Sequence, residues 1–422
     1  MDDKIVNFIS NSIAENVILA QEELKKITKR RFFVSNLEKA IKESGQRVIL
    51  ISGLRGTGKT TALYQIMESK NNDSITYLSA DALVSRGISL EDAIEALDYI
   101  QKQNIGMSKQ FLLLLDEVTY LENWDLKLKV LRDRRPNIII IATSSSALPI
   151  KKTKELARRA FELHALPFSF REYLALKYDL VIPEELTLEI RNNIKKEEDC
   201  NPQYLKVLVI MKNYNLSAIY EEYVKQDMPF SLNLSDIAYK EAITELIKRT
   251  VYEDLAKYEK FSGEMLSSAE KMIKYLSTIP SDGVKISSLS EVIGISKESV
   301  VKILDALENS VLIKGITFEG RNRMLKKPKK WFFYSSSIRY YLALPIANIA
   351  ELTGNSREGS VFRHLVESEP DLFYSHEADF IAGKLKFEVG KGKKQRDGTI
   401  MLDIDKTITK TRLYLPLFAL SV

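Results

Sequence analysis

Residues 48–61, VILISGLRGTGKTT, decide the fold of this chain. A short apolar run leads directly into the phosphate-loop pattern GxxxxGK[ST], which starts at Gly53 and ends at Thr60, and a helical pattern follows it. Glycines in such a loop let backbone amides close around phosphate oxygens, and the start of the next helix adds positive potential. The stretch therefore predicts a nucleotide-binding loop between a strand and a helix.

The chemistry expected of this loop is the binding of ATP with Mg²⁺. Lys59 supplies a cation for the β- and γ-phosphates, and the Thr60 hydroxyl is a ligand for Mg²⁺. The full set of residues predicted to bind the nucleotide is Gly53, Leu54, Arg55, Gly56, Thr57, Gly58, Lys59, Thr60 and Thr61.

A second apolar run, FLLLLDE at 111–117, ends in two carboxylates. A continuously apolar strand is typical of a parallel sheet covered on both faces, whose carboxyl end meets the nucleotide. We expect Asp116 to hold Mg²⁺ through its water shell and Glu117 to act as general base toward water, which favours hydrolysis over transfer to a second substrate. The alternative is that this acidic pair only ends a buried strand.

Two further groups complete the predicted catalytic set. The strand NIIIIAT, 137–143, leads into Thr143, Ser144 and Ser145, one of whose hydroxyls can reach the γ-phosphate and the attacking water, although such a strand exit is as often a plain turn. Arg158 and Arg159 lie on a predicted basic helix. Either is a candidate arginine finger reaching a neighbouring subunit of a homo-oligomer, and a solvated basic face is the equal alternative.

Length and composition bound the rest of the chain. A length of 422 residues suggests about three domains, and 45% hydrophobic with 28% charged residues is ordinary globular composition. A net charge of +5 is too small to indicate nucleic acid by itself, and one cysteine with three histidines excludes an internal disulfide and the usual zinc sites. With no signal-like N-terminus and no apolar run near 20 residues, we expect a cytoplasmic protein with no membrane contact.

Alternation of apolar runs with amphipathic stretches from Arg47 predicts an α/β fold, a P-loop NTPase with a parallel sheet. Helical periodicity dominates after Pro167. Further along the chain, a pattern of three helices and a β-ribbon predicts a winged helix-turn-helix. Ser288 and Ser296 are its predicted N-caps, and Gly294 lies in a predicted turn. The predicted domains are an N-terminal helical segment (1–45), the P-loop core (46–168), a helical segment (169–262), the winged helix (263–345) and a small C-terminal α/β module (346–422).

The predicted wing carries a basic run, RNRMLKKPKK at 321–330. Because a wing flanks the groove of a docked duplex, this run favours contact with DNA phosphates, whereas the mixed charges of KESVVKILDALENS, 297–310, argue against reading of base sequence. A structural winged helix with a solvated basic loop is the equal alternative. The candidate nucleic-acid contacts are Arg321, Arg323, Lys326, Lys327, Lys329 and Lys330.

Several motifs in order resemble a family of prokaryotic, especially archaeal, AAA-like ATPases with a P-loop domain, a helical lid, a winged helix and a C-terminal module related to restriction-endonuclease folds. The resemblance covers the chain from about Lys29 to its end. It implies a sensor at Thr143 to Ser145 and a lid that closes over ATP through Pro167 to Tyr173. The matching stretches are VILISGLRGTGKTT, LLLLDEVTYLENWDLKLKVLRDR with Trp124, LHALPFSFREYL, LKKPKKWFFYSSSIRYYL and EADFIAGKLKFEVGKGKK.

The sequence departs from this family at two places. Family members often carry Gly-Gly-x-Pro in the lid, where this chain has Gln226 and Asp227 before Met228 and Pro229. The resemblance to nucleases implies metal-binding acids at Glu358, Asp379 and Glu388. Lys391, three residues after Glu388, falls on a different face of an ideal strand from that glutamate, which favours a scaffold or docking module over a DNA-cleaving one.

The sequence is compatible with three functions. The first is an ATPase switch or motor that engages double-stranded DNA non-specifically. The second is a signalling or chaperone-like ATPase whose partners are proteins. The third, least favoured, is a nuclease gated by ATP.

Overall fold

The computed structural model describes residues 2–27, 29–43, 48–69, 74–145, 156, 160–256, 261–280, 283–320, 328–345, 348–369, 371–390 and 398–422. The chain divides into two compact units, Met1–Leu166 and Pro167–Val422. The five domain ranges given above remain a prediction, because this division separates the chain only once. None of the helices in the described ranges is long and apolar enough to cross a membrane.

The first unit is built on a five-stranded sheet in the order β2-β3-β4-β1-β5, with every neighbouring pair parallel. The strands β1, β3 and β4 are buried along their whole length, because helices cover both faces of the sheet. This arrangement confirms the predicted α/β class. The strands are β1 (Val48–Ser52), β2 (Ile75–Ser79), β3 (Phe111–Asp116), β4 (Ile138–Ser144) and β5 (Ala160–His164).

Helices pack on the two faces of this sheet as two separate apolar clusters. One cluster contains residues of α4, α5 and α6, and the other contains residues of α2 and α3. Helix α1 contributes Ile9 to the first cluster and Ala20 to the second, so the N-terminal helices are part of this unit. The helices are α1 (Asp3–Lys26), α2 (Phe32–Glu43), α3 (Lys59–Glu68), α4 (Ala80–Ser85), α5 (Leu90–Gln101) and α6 (Trp124–Arg134).

The second unit begins with helices, as the periodicity of this segment indicates. A π-helical run, Thr250–Leu255, continues directly from the fifth of them. Buried residues of the first four pack into one core with the strands of the C-terminal sheet. These helices are α7 (Phe170–Tyr178), α8 (Glu184–Lys196), α9 (Asn201–Met211), α10 (Leu216–Lys225) and α11 (Asp236–Arg249).

Three helices and a hairpin follow in the order that the sequence predicts. They are α12 (Gly263–Thr278), α13 (Ile286–Ile293), α14 (Lys297–Asn309), β6 (Ile313–Phe318) and β7 (Lys330–Phe333). Gly294 ends α13 with a φ of 79°, and the Ser296 hydroxyl accepts the Ser299 amide as the N-cap of α14. The N-cap predicted at Ser288 is wrong, because Ser288 lies inside α13 and Lys285 precedes that helix.

The β6–β7 hairpin belongs to a larger sheet. Strand β6 also pairs with β8 in parallel, which gives a mixed seven-stranded sheet in the order β12-β11-β10-β9-β8-β6-β7. The sequence did not predict β11. The added elements are β8 (Leu372–Tyr374), β9 (Phe380–Ala382), β10 (Leu385–Val389), β11 (Ile400–Asp403), β12 (Arg412–Tyr414), α15 (Ser336–Ala343), α16 (Ile349–Ser368) and α17 (Leu415–Ala419).

Candidate nucleotide site

The carboxyl ends of three adjacent strands form the candidate site. Because β3, β4 and β1 are parallel neighbours, the residues at their ends meet at one edge of the sheet. The phosphate loop follows β1, Asp116 ends β3, and Thr143 with Ser144 ends β4. This is the edge at which open α/β sheets bind their ligands.

The phosphate loop has the backbone that its glycines permit. Gly56 and Gly58 have φ values of 75° and 84°, a region that residues with a Cβ rarely adopt. Lys59 is the first residue of α3 and is 6% exposed, and its Nζ donates to the carbonyl oxygens of Gly53 and Leu54 at 2.8 and 2.9 Å. The lysine predicted to meet phosphates is thus held within the loop, at the start of a helix that attracts anions.

The Asp116 carboxylate accepts hydrogen bonds from three side chains of the site. Its Oδ2 accepts hydrogen bonds from the Thr60 hydroxyl at 2.7 Å and the Tyr77 hydroxyl at 2.9 Å, and its Oδ1 accepts one from the Thr143 hydroxyl. The carboxylate is 6% exposed, so these donors replace most of its water. Thr60 and Asp116 present hard oxygen atoms side by side, a donor set that fits Mg²⁺.

Glu117 has an unusual backbone. Its φ of 50° lies in the left-handed region, which is uncommon for a residue other than glycine and is concentrated at functional sites. The Glu117 amide donates to the Thr143 hydroxyl at 2.9 Å, and the Ser145 amide donates to Glu117 Oε2 at 3.2 Å. The end of β4 therefore fixes both the backbone and the carboxylate of Glu117.

The three hydroxyl residues at the end of β4 have different surroundings. The Thr143 hydroxyl contacts Asp116 and Glu117, whereas Ser145 contacts Glu117 through its amide. Ser144 is 2% exposed and lies opposite Ser52, the residue before the phosphate loop. Thr143 is thus the hydroxyl that joins both acidic residues, a distinction that the run of serines in the sequence does not reveal.

Two residues of the phosphate loop, Gly53 and Thr57, are linked to the last residues of the first unit. A Cβ on Gly53 would lie 2.3 Å from the Ala165 carbonyl oxygen, so only glycine fits there. Further along the loop, the Arg31 guanidinium donates to the Thr57 carbonyl at 2.6 Å and to the Leu166 carbonyl at 2.9 Å. We call these three contacts the exit clamp: Gly53 with Ala165, Arg31 with Thr57, and Arg31 with Leu166.

Sequence reasoning missed Tyr77 and Arg31. Tyr77 lies within the apolar run of β2, where it reads as an ordinary buried aromatic residue. Arg31 belongs to a basic run, KKITKRRF, which resembles any solvated face. Their roles depend on contacts with residues 39 and 135 positions away, for which a single sequence offers no signal.

Several predicted site residues lie outside the described residues, namely Arg158, Arg159, Arg321, Arg323, Lys326 and Lys327. Of the basic wing, Lys329 and Lys330 are described. Lys329 lies over the Trp331 ring at 5.2 Å and 3.8 Å from the Glu308 carboxylate. Lys330 is 7% exposed, and its Nζ lies 3.3 Å from Asp379 Oδ1. Lys330 is therefore occupied by an internal ion pair.

The acids of the C-terminal module do not gather into a metal site in the described part of the chain. No group of three or more histidine, cysteine or acidic residues there is arranged to hold a metal ion. Asp379 pairs with Lys330 and accepts the Val389 amide at 3.0 Å, and Glu388 is 7% exposed on β10. Lys391 lies outside the described residues.

Asp227, where the sequence departs from the family lid pattern, is fully buried in the second unit. Its carboxylate accepts the hydroxyls of Ser335 and Ser337 at 2.5 and 2.6 Å and the Ser336 amide at 2.7 Å. Burial raises the pKa of Asp227 to about 6, although these hydrogen bonds act in the opposite direction. Asp227 thereby fixes the start of α15.

The segment Pro167 to Tyr173, to which the family resemblance gives a lid role, is held by α16. Arg363 donates twice to the Pro167 carbonyl, at 3.1 and 2.6 Å, and the Phe170 amide donates to His364 Nε2 at 3.1 Å. His364 is fully buried; burial, and then the neighbouring Arg363 charge, lower its pKa to about 4. A neutral His364 keeps its Nδ1 proton on the Ser360 carbonyl, 2.7 Å away, and Nε2 free to accept.

Comparison with known proteins identifies a domain family that matches most of the first unit. A family model described as an AAA domain matches residues 45–174. The uncharacterized protein MJ1637 of Methanocaldococcus jannaschii is 30% identical over 416 residues, covering 92% of this chain and 85% of the relative. An uncharacterized protein of Haemophilus influenzae is 23% identical and covers 79% of each chain.

Similarity to solved structures is weaker. The structure of the Aeropyrum pernix ORC1 protein in complex with DNA has a TM-score of 0.30 and 13% identity, covering 77% of this chain and 92% of that one. The match to MJ1637 is long and spans most of both chains, and the AAA domain match covers the phosphate loop and both acids described above. The chain therefore belongs to the family of AAA-domain proteins that includes the uncharacterized protein MJ1637 of Methanocaldococcus jannaschii.

Proposed function

We propose that this protein binds ATP with Mg²⁺ and hydrolyses it to ADP and phosphate. The observation that carries the proposal is the hydrogen bond of 2.7 Å between the Thr60 hydroxyl of the phosphate loop and Asp116 at the end of β3. It joins the two predicted metal-binding oxygens, and Glu117 follows directly on the same strand end.

Each residue has a defined task in this proposal. The loop amides and Lys59 bind the β- and γ-phosphates, with Lys59 leaving the carbonyls of Gly53 and Leu54 to do so. Thr60 and Asp116 hold Mg²⁺, which neutralises charge on the phosphates when bound. The Glu117 carboxylate takes a proton from the attacking water. The Ser145 amide orients that carboxylate, and Thr143 fixes its backbone.

Thr143 is the residue that we favour as the sensor, because its hydroxyl bridges Asp116 and the Glu117 amide. A change at the γ-phosphate that moves either acid would therefore reach β4. The arginine finger remains a prediction for Arg158 or Arg159, and it requires a neighbouring subunit.

The test compares ATP binding with ATP turnover in matched variants. Lys59→Ala should lose ATP binding. Glu117→Gln should bind ATP normally and hydrolyse it roughly a hundredfold or more slowly, the usual contribution of a general base. Glu122→Gln is the matched control, because this carboxylate lies on the same connection and is exposed. Normal turnover by Glu117→Gln would show that Glu117 is not the base.

Two couplings of this ATPase activity are proposed. Non-specific binding of double-stranded DNA is supported by the composition of the run 321–327. The second is coupling to a protein partner, with the second unit as docking surface. The internal ion pair of Lys330 with Asp379 weighs against the first coupling only in that it occupies one of the predicted DNA contacts. DNA-stimulated turnover that fades with added salt would support DNA coupling, since phosphate contacts release counterions. Turnover unaffected by DNA would support a protein partner.

The pairing of Asp379 with Lys330 also weighs against the nuclease alternative, because it occupies a carboxylate that a metal ion would need. Plasmid incubated with the protein, ATP and Mg²⁺ or Mn²⁺ should stay intact. Cleavage that Asp379→Ala abolishes would establish the nuclease instead.

A further inference from the structure

Tyr77 joins β2 to the predicted metal site. It pairs with Leu114 in the parallel β2–β3 register, two residues before Asp116. Side chains two apart along a strand share a face, so the Tyr77 ring lies on the same face as Asp116. Tyr77 is 5% exposed, and its hydroxyl donates to Asp116 Oδ2 at 2.9 Å.

The ring of Tyr77 is held in turn by the helix that carries the phosphate loop. Its centroid lies 5.3 Å from that of Tyr64, on α3 one turn after Thr60. The Tyr77 hydroxyl and the Thr60 hydroxyl converge on the same oxygen of Asp116. The ring is packed in the core, so this hydroxyl is fixed in place rather than free to rotate away.

We propose that Tyr77 is a positioning residue of the magnesium site, which holds the Asp116 carboxylate in the orientation that Mg²⁺ requires. The inference rests on the proposed function and deepens it. A carboxylate beside a metal ion can rotate, and a rigid donor on one of its oxygens limits that rotation. Loss of a side chain that orients a metal ligand commonly weakens metal binding or activity by about 10- to 100-fold.

Burial also keeps Tyr77 in the donor state. Desolvation raises its pKa far above the usual tyrosine range, and the Asp116 charge raises it further. The phenol is therefore a hydrogen-bond donor at neutral pH. Its effect on Asp116 is one of geometry and hydrogen bonding rather than of charge.

Tyr77→Phe tests the proposal, because it removes one oxygen atom and leaves the packed ring. The control is Thr76→Val, which removes a hydroxyl from a residue that is 3% exposed on the same strand and lies on the opposite face of the sheet. Both variants are first compared with wild type for thermal unfolding in the full-length chain.

The readout is the affinity for a fluorescent ADP analogue in EDTA and across a Mg²⁺ titration. We expect Tyr77→Phe to bind the analogue in EDTA as wild type does, and to need about tenfold more Mg²⁺ for half of the Mg²⁺-dependent change. Thr76→Val should match wild type in both. The Mg²⁺ dependence of ATP turnover should shift by the same factor.

Three results would overturn the inference. The first is a wild-type Mg²⁺ titration for Tyr77→Phe. The second is an equal loss of analogue binding with and without Mg²⁺, which would mark a structural role. The third is a shift of the same size in Thr76→Val. Wild type could bind the analogue in a Mg²⁺-dependent way and yet turn over no ATP. The hydrolysis proposal would then fail, and the Mg²⁺ titration of analogue binding would still decide the Tyr77 inference.

Discussion

Two fully buried groups of the second unit, His364 and Asp227, should give that unit opposite dependences of stability on pH. His364 accepts the Phe170 amide, and Asp227 holds the start of α15. The perturbations are His364→Gln and Asp227→Asn. Each variant removes one titrating group and keeps a polar side chain of similar size.

The sign for His364 follows from its lowered pKa. A histidine in the unfolded chain takes up its proton near pH 6.5, whereas folded His364 does so only at about pH 4. As the pH falls through this window, protons favour the unfolded chain and stability is lost. At about 1.4 kcal/mol for each pKa unit, the loss is about 3 kcal/mol.

Asp227 behaves in the opposite way. Its folded pKa of about 6 lies above the value near 3.8 of an unfolded aspartate, so the folded state takes up the proton first. The contribution of this group is full below pH 3.8 and is lost as the pH rises through 6. Between pH 7 and pH 4, acidification should therefore add about 3 kcal/mol through Asp227, which offsets the loss through His364.

The assay is urea unfolding followed by tryptophan fluorescence between pH 4 and 7.5. The chain has two tryptophans, one in each unit, so a Trp124→Phe background leaves Trp331 to report on the second unit. The wild-type stability minus that of His364→Gln should fall by about 3 kcal/mol on acidification, and the difference from Asp227→Asn should rise by a similar amount. Differences that do not change with pH, or that change in the same direction, would refute the reasoning.

Two further predictions concern the first unit. Gly53→Ala places a methyl group against the Ala165 carbonyl and should weaken ATP binding, measured by calorimetry, about tenfold or more. The control is Gly263→Ala, whose added Cβ meets nothing within 4 Å and which should bind ATP as wild type does. Equal ATP affinities of Gly53→Ala and wild type would disprove the contact. Arg135→Ala breaks a two-bond ion pair with Asp98 at 2.8 and 2.6 Å, both side chains being under 20% exposed. It should lower the free energy of unfolding by about 2 kcal/mol, and a change below about 0.5 kcal/mol would contradict this.

The sheet and the core of the candidate site follow from local sequence patterns. The apolar runs that end in Ser52, Asp116 and Ser144 predict buried parallel strands, and a parallel sheet brings their ends together without further information. Lys59, Thr60 and Asp116 were predictable because phosphate and metal chemistry dictates their residue types.

The remaining features depend on contacts between distant parts of the chain. The pairing of β6 with β8 joins the hairpin to the C-terminal sheet, although the two strands are separated by more than fifty residues. Asp227 reads as a lid-turn residue in sequence, and its burial against Ser335 and Ser337 appears only in the fold. Strand β11 is short and lies beside a charged stretch, so its apolar run gave too weak a pattern to predict.

The exit clamp has a mechanical consequence. Leu166 is the last residue of the first unit, and Arg31 ties its carbonyl directly to the phosphate loop, while Ala165 abuts Gly53. A force applied to the chain after residue 166 would therefore load the phosphate loop, through Arg31 and Ala165, together with β5, which ends at His164. Such a force would loosen the phosphate loop at Gly53 and at Thr57, the two loop residues that the exit clamp holds.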